Sequence, residues 1–334
     1  MTTPQTALDV LRQRTIVDCD TMDEQVAKTF GPFQDCTSNQ AIAFGELSKP
    51  EHKDLITASV KEAIELSPKF PGPTVEELAV EIATIKLALK IAPHITGHIH
   101  IQTNPYYSYS TTKTFTNAWR IIHLTQHLHP TFPQSRLCLK IPSTWEGLRA
   151  CALLEASGVG TLATTLFTRT QAALAAEVRC TYVAPYVNQL KVHFEPGSTD
   201  PARLLPLCPI IQKYYHAIGS QTKVLPASLT STDEILSLAG VHHITITPAL
   251  LQQLAALPAS AATAVPNLFD AGPPVGYDAP VAFQDDEEGY QLAFSREGRG
   301  EGEGRLGQTV SIFCEMQDQL VQMMGAVLKG VRSG

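Results

Sequence analysis

The sequence predicts an α/β fold, a single domain over 1–334 built as a (β/α)8 TIM barrel with a C-terminal closing helix. Three observations lead there. Eight short runs read as strands, at 15–20, 34–37, 98–103, 136–141, 161–166, 181–185, 223–227 and 241–245, and helical patterns lie between most of them. Strands alternating with helices make a parallel sheet, and eight is the number that closes a barrel. The strand runs also carry apolar residues on both faces, as in Leu137-Cys138-Leu139-Lys140-Ile141, which suits strands covered by helices outside and by packed side chains inside.

Punctuation between the strands supports the alternation. Ser143-Thr144-Trp145-Glu146 reads as a capping box that opens a helix ending near Gly158. Ser231-Thr232-Asp233-Glu234 repeats the device ahead of Gly240. Thr247 followed by Pro248 predicts an N-cap with proline in the first turn. The stretch 267–307 is rich in glycine, proline and acid and predicts a long surface loop. In 310–331 the residues Ile312, Met316, Leu320, Met323, Met324 and Val327 recur at helical spacing and predict a closing helix over the barrel mouth.

Composition removes several classes of function. Hydrophobic content of 44% and charged content of 17% fit a chain with a sizeable core. A net charge of −7 argues against nucleic acid or an anionic membrane as partner. No apolar run approaches the roughly 20 residues of a membrane span, and MTTPQTALDVLRQRT carries no signal-peptide core. Seven cysteines, several within apolar runs and none in a CxxC pair, read as reduced core residues. The expected compartment is the cytoplasm and the expected partner a small molecule.

Active sites of such barrels lie at the C-terminal ends of the strands, where this chain places Asp20, the run Asp35-Cys36-Thr37-Ser38-Asn39, Gln102, Lys140, Thr164, Tyr186 and Ser228. Lys140 is the informative one. With a reference pKa of about 10.4, under ~0.1% of a free lysine is neutral amine at pH 7. Burial disfavours the ammonium, and a neutral amine can attack a carbonyl to form a Schiff base, whose iminium draws electrons from a neighbouring C–C bond. The alternative is a lysine that reaches the rim or pairs with Asp20. Asn39 reads either as a substrate-holding amide or as a turn residue. Gln102 and Thr164 read as a water site or as polar filler, and Tyr186 as a proton donor or a packed ring. His98 and His100 share a strand face with Gln102; two such histidines can bind metal, but no third ligand is evident, so neither a metal nor a cofactor is expected.

At these residues the chain resembles a known family. LKIPSTWEGLRACALLE resembles the transaldolase active-site signature, in which the lysine, here Lys140, forms the Schiff base. VDCDTMD resembles the first strand with its catalytic aspartate at Asp20. DCTSNQ resembles the second, with a substrate-holding asparagine at Asn39 flanked by Thr37 and Ser38. TLATTLF resembles the fifth, whose threonine, here Thr164, helps place a catalytic water. YVAPYV, PASLTSTDEILSLAG and ITITPALLQQL resemble the sixth, seventh and eighth units. The likeness runs over roughly 15–330 and implies the same barrel, a lysine-dependent enzyme and a carbonyl substrate. Family members are often oligomeric, so a homo-oligomer is compatible with the resemblance, although no interface motif is visible.

Departures from the family pattern bear on substrate and on proton handling. A family glutamate on the third strand is Gln102 here, and a phenylalanine on the sixth is Tyr186. This pair resembles the fructose-6-phosphate aldolases of the same superfamily, and implies direct aldol chemistry with Tyr186 exchanging the proton and Gln102 holding water. Two phosphate-binding arginines of the family are Gln189 and Thr230 here, with Ser228 retained. Losing two guanidinium forks removes about 1.5–3 kcal/mol per charge-assisted bond. Leu162 and Ala184 stand where the family has asparagine and serine, so the pocket is less polar. The expectation is a Schiff-base aldolase or transaldolase-like enzyme, in a specialised role, on an unphosphorylated or less polar carbonyl compound. A transaldolase moving dihydroxyacetone between sugar phosphates and a non-catalytic binding descendant are the alternatives.

Overall fold

The computed structural model describes residues 5–270 and 281–333. Eight parallel strands form its centre: β1 Ile16–Asp20, β2 Cys36–Thr37, β3 Ile99–Gln102, β4 Leu137–Pro142, β5 Gly160–Leu166, β6 Tyr182–Pro185, β7 Lys223–Val224 and β8 His243–Ile246. Their order, β7-β6-β5-β4-β3-β2-β1-β8, follows the chain around a nearly closed barrel. The closing seam between β7 and β8 is thin. Val224 N donates to His242 Nδ1 at 3.1 Å, and Thr245 N reaches Pro226 O at 3.5 Å. The outer layer is helical, as the alternating pattern predicts.

Two strands are shorter than the sequence suggests, each for a local reason. In β7, Pro226 has no N–H for the ladder, and pairing resumes only as an isolated bridge between Tyr186 and Ala227. Before β2, the side chain of Asp35 takes the His98 N–H at 2.7 Å, where a strand would use its backbone. The helix Trp145–Ala156 is capped by Thr144, one residue later than the box reading, because the Ser143 hydroxyl donates to Thr164 O instead. Ser231 caps the helix Thr232–Ser237 as expected, whereas the Thr247 hydroxyl makes no capping bond ahead of Pro248–Ala256.

The loop expected over 267–307 is largely helical from Glu287 on; 271–280 lie outside the described residues. Asp286 caps a helix Glu287–Arg296, and the final helix begins at Glu301 and runs to Ser333. Phe283, Tyr290 and Phe294 explain the difference, since they pack on one another and on Trp145. Glycine and acid dominate the composition, but three buried aromatics decide the structure, each contributing about 1.5–3 kcal/mol through burial. The final helix crosses the helices Gln40–Leu47, Lys53–Leu66 and Val75–Ile91 and buries Phe313, Leu320, Met324 and Leu328. No helix among the described residues is long and apolar enough to cross a membrane. All seven cysteines are unpaired.

Candidate active site

Lys140 lies in the middle of β4 and is 1% exposed. Its register partners are Gln102 on β3 and Leu162 on β5, so one neighbour is an amide and the other apolar. Among the described residues no ion pair reaches it. The pairing with Asp20 that the sequence allowed is not made. Asp20 Oδ1 instead accepts from the Thr37 hydroxyl at 2.6 Å, and that hydroxyl lies 2.5 Å from Thr245 Oγ1. The carboxylate is thus oriented by its neighbour in register across β1 and β2.

Gln102 and Thr164 stand out by hydrogen-bond accounting. Both amide atoms of Gln102 and the hydroxyl of Thr164 are buried without a partner. An unmatched buried polar group costs about 1–3 kcal/mol, so three of them near one lysine call for an explanation. A void of about 20 Å³ beside Gln102 and Asn39 has room for about one water. Thr164 itself sits at a distortion. The β5–β6 register shifts between Ala163 and Leu166, and Thr165 adopts φ 55°, a costly conformation for a β-branched residue. Ser143 secures it by donating both its N–H (2.8 Å) and its hydroxyl (2.7 Å) to Thr164 O.

A cavity of about 170 Å³ opens at the strand ends, walled by Asp20, Asn39, Tyr186, Ser228, Thr245, Thr247, His193 and Phe313 among others. Four of the sequence-predicted residues therefore meet in one wall, while Lys140, Gln102 and Thr164 are not part of it. Asn39 fulfils both of its readings. Its Oδ1 caps the helix Gln40–Leu47 at Ile42 N (3.0 Å), and its residue also faces the cavity. Ser228 is held at φ 61°, with its hydroxyl 3.0 Å from His193 Nε2.

The remaining expected substrate contacts are placed differently. Thr37 is withdrawn by its bond to Asp20, and Ser38 donates to His100 O at 2.8 Å. Neither lines the cavity. Gln189 donates its N–H to Asp200 Oδ2 at 2.8 Å. Thr230 donates both N–H and hydroxyl to Glu234 Oε2, at 2.7 and 3.1 Å. The two positions expected to have lost arginine thus bind carboxylates, which are themselves paired with Arg305 at Asp200 and Arg203 at Glu234. Burial would raise the Asp200 pKa, but Arg305 and the Ala202 and Gln189 N–H groups outweigh it and hold it below the usual carboxylate range.

His193, Thr245 and Phe313 escaped the sequence reading. Thr245 was legible in principle, since HHITIT puts it near the C-terminal end of β8. His193 lies in an irregular loop and Phe313 on the final helix, where spacing carries no signal of the site. Desolvation at the mouth lowers the His193 pKa, opposed by Asp20 and Glu234, so the ring is neutral at pH 7.

Comparisons with known proteins show the family. Residues 17–285 match the family model described as Transaldolase/Fructose-6-phosphate aldolase. The chain is 32% identical over 262 residues to a transaldolase of Gloeobacter violaceus, covering 75% of this chain and 65% of that one. It is 31% identical over 256 residues to a transaldolase of Thermosynechococcus vestitus, covering 74% and 64%. With a transaldolase of Mannheimia succiniciproducens the identity is 30% over 256 residues, covering 75% and 79%. The chain thus spans somewhat less than two thirds of the length of the first two relatives. On the family match and these identities, this chain belongs to the transaldolase/fructose-6-phosphate aldolase family.

Proposed function

We propose that the protein is a lysine-dependent aldolase that makes or breaks a C–C bond next to a carbonyl, on an unphosphorylated or weakly polar substrate. The observation that carries this reading is Lys140, buried in β4 without an ion-pair partner among the described residues and in register with the unmatched Gln102. The amine adds to the substrate carbonyl, and the carbinolamine loses water to give an iminium. In the cleavage direction the substrate's β-hydroxyl passes its proton to a water held by Gln102 and Thr164, the C–C bond breaks, and its electron pair flows into the iminium to leave an enamine. Tyr186 or a water held by Gln102 and Thr164 returns a proton to the enamine carbon, and hydrolysis frees Lys140. Asp20, held by Thr37, stabilises the cationic intermediate and orients hydroxyls. Asn39 and Ser228 position the substrate.

The unphosphorylated reading rests on Asp200 and Glu234, which occupy Gln189 and Thr230. A competition assay tests it. Cleavage of fructose and of fructose 6-phosphate is compared, with inorganic phosphate as inhibitor. The reading predicts that the phosphate confers no advantage in kcat/KM and that millimolar phosphate does not compete. Tight competition by phosphate and efficient transfer from fructose 6-phosphate to erythrose 4-phosphate would favour the sugar-phosphate transaldolase instead.

A further inference from the structure

The opposite end of the barrel carries chemistry that the lysine site does not use. Asp35, fully buried ahead of β2, lies between two histidines of the β3 segment. Its Oδ2 is 3.1 Å from His100 Nε2 and 3.6 Å from His98 Nδ1. These three ligand atoms lie within 4.8 Å of one another. A tetrahedral ion with bonds of 2.0–2.1 Å sets its donors about 3.3 Å apart, and the two measured distances straddle that value. The Tyr182 hydroxyl at the start of β6 stands 3.1 Å from His98 Nδ1, where a fourth ligand or a bound water would sit.

We propose that Asp35, His98 and His100 form a binding site for a divalent transition-metal ion of the zinc class at the N-terminal end of the barrel. Two imidazoles and one carboxylate suit zinc, cobalt or nickel, whereas calcium and magnesium call for a shell of oxygens. The carboxylate is pre-positioned, since Asp35 Oδ1 accepts from His98 N at 2.7 Å. Behind it, Asp18 Oδ1 accepts from Asp35 N at 2.9 Å, and Asp18 Oδ2 contacts His243 Nδ1 at 2.8 Å. Such outer partners fix ligand orientation at metal sites. Asp18, Asp35 and His243 form a second cluster of ligand type, but Asp18 and Asp35 are 0% exposed and both Asp18 oxygens are engaged. The His98 side chain is 26% exposed, so an ion reaches the site from the His98 side. The histidine pair was visible in GHIHIQ; the third ligand comes from a different strand, and only the barrel brings it near. An ion here would tie β2 to β3 at the N-terminal end of the barrel, a structural rather than a catalytic position.

The test uses the untagged full-length protein, stripped with dipicolinate and EDTA. Zinc binding is followed by titration calorimetry and cobalt binding by visible absorption. The site predicts one zinc per chain, ligand-field bands of a low-coordinate cobalt centre, and a higher Tm with zinc. His98→Gln, at the partly exposed ligand, is expected to fold normally by circular dichroism and to lose zinc affinity by about tenfold or more; Lys140→Arg is expected to bind zinc as the wild type does. Absence of saturable zinc binding, or affinity unchanged in both His98→Gln and His100→Gln, would overturn the proposal.

Discussion

At the scale of residues, the proposed reaction depends on how a few polar side chains are held at the strand ends. Thr37 is the clearest positioning group, since its hydroxyl bonds Asp20 at 2.6 Å. Thr37→Val keeps the shape and removes the bond. It is expected to lower kcat/KM about tenfold, as one charge-assisted bond of ~1.5–3 kcal/mol allows, in steady-state kinetics with fold and Tm nearly unchanged. Tyr186→Phe removes the phenol alone and should cut kcat by about 10²–10⁴ with little change in KM. Iminium formation would persist in this variant, visible as substrate that still traps covalently. At the mouth, His193 is neutral at pH 7 because its pKa lies below the usual imidazole value. As pH falls through that lowered value the ring gains a second donor beside Ser228, and KM is expected to change in acid. A KM that stays level with pH in His193→Gln but not in wild type checks the assignment.

At the scale of elements, the closing helix shapes the site as well as covering it. Arg305 on that helix donates to Asp200 Oδ2 at 2.7 Å and to Ala202 O at 2.8 Å, and Asp200 in turn holds Gln189 just past β6. Both partners are buried. Arg305→Met leaves Asp200 uncompensated and should cost about 3–5 kcal/mol, read by chemical denaturation. Asp200 has a depressed folded pKa. Its contribution is therefore complete above the unfolded carboxylate value of about 3.9 and is lost as pH falls through the lower folded value. The stability gap between wild type and variant should close in strong acid. The same elements show what was legible in the chain. Strand runs, helix caps and the last helix could be read because local pattern fixes them. The helix Glu287–Arg296 could not, because its glycine and acids conceal aromatics that matter only once Trp145 is opposite. Among the candidate residues, the strand positions of Lys140, Asp20 and Gln102 could be read from periodicity. The withdrawal of Thr37 and Ser38 could not, since it depends on cross-strand bonds to Asp20 and His100.

At the scale of the whole molecule, charge bears on the proposal of an unphosphorylated substrate. The net charge is −7, and the positions expected to cradle a phosphate are bonded to Asp200 and Glu234. A ligand that binds only the folded state raises Tm according to its concentration over Kd. Millimolar phosphate is therefore expected to leave Tm unchanged, and a shift of several degrees would show an anion site that this account lacks. The barrel also divides its polar residues between two ends, with Lys140, Asp20 and Tyr186 serving one and Asp35, His98 and His100 the other. The measurement that reaches the central claim most directly is borohydride reduction in the presence of dihydroxyacetone, fructose or fructose 6-phosphate, read by intact mass. The account predicts a single reduced adduct on the wild type, mapped to Lys140, and none on Lys140→Arg. An adduct retained by Lys140→Arg, or cleavage activity with no adduct on the wild type, would contradict it.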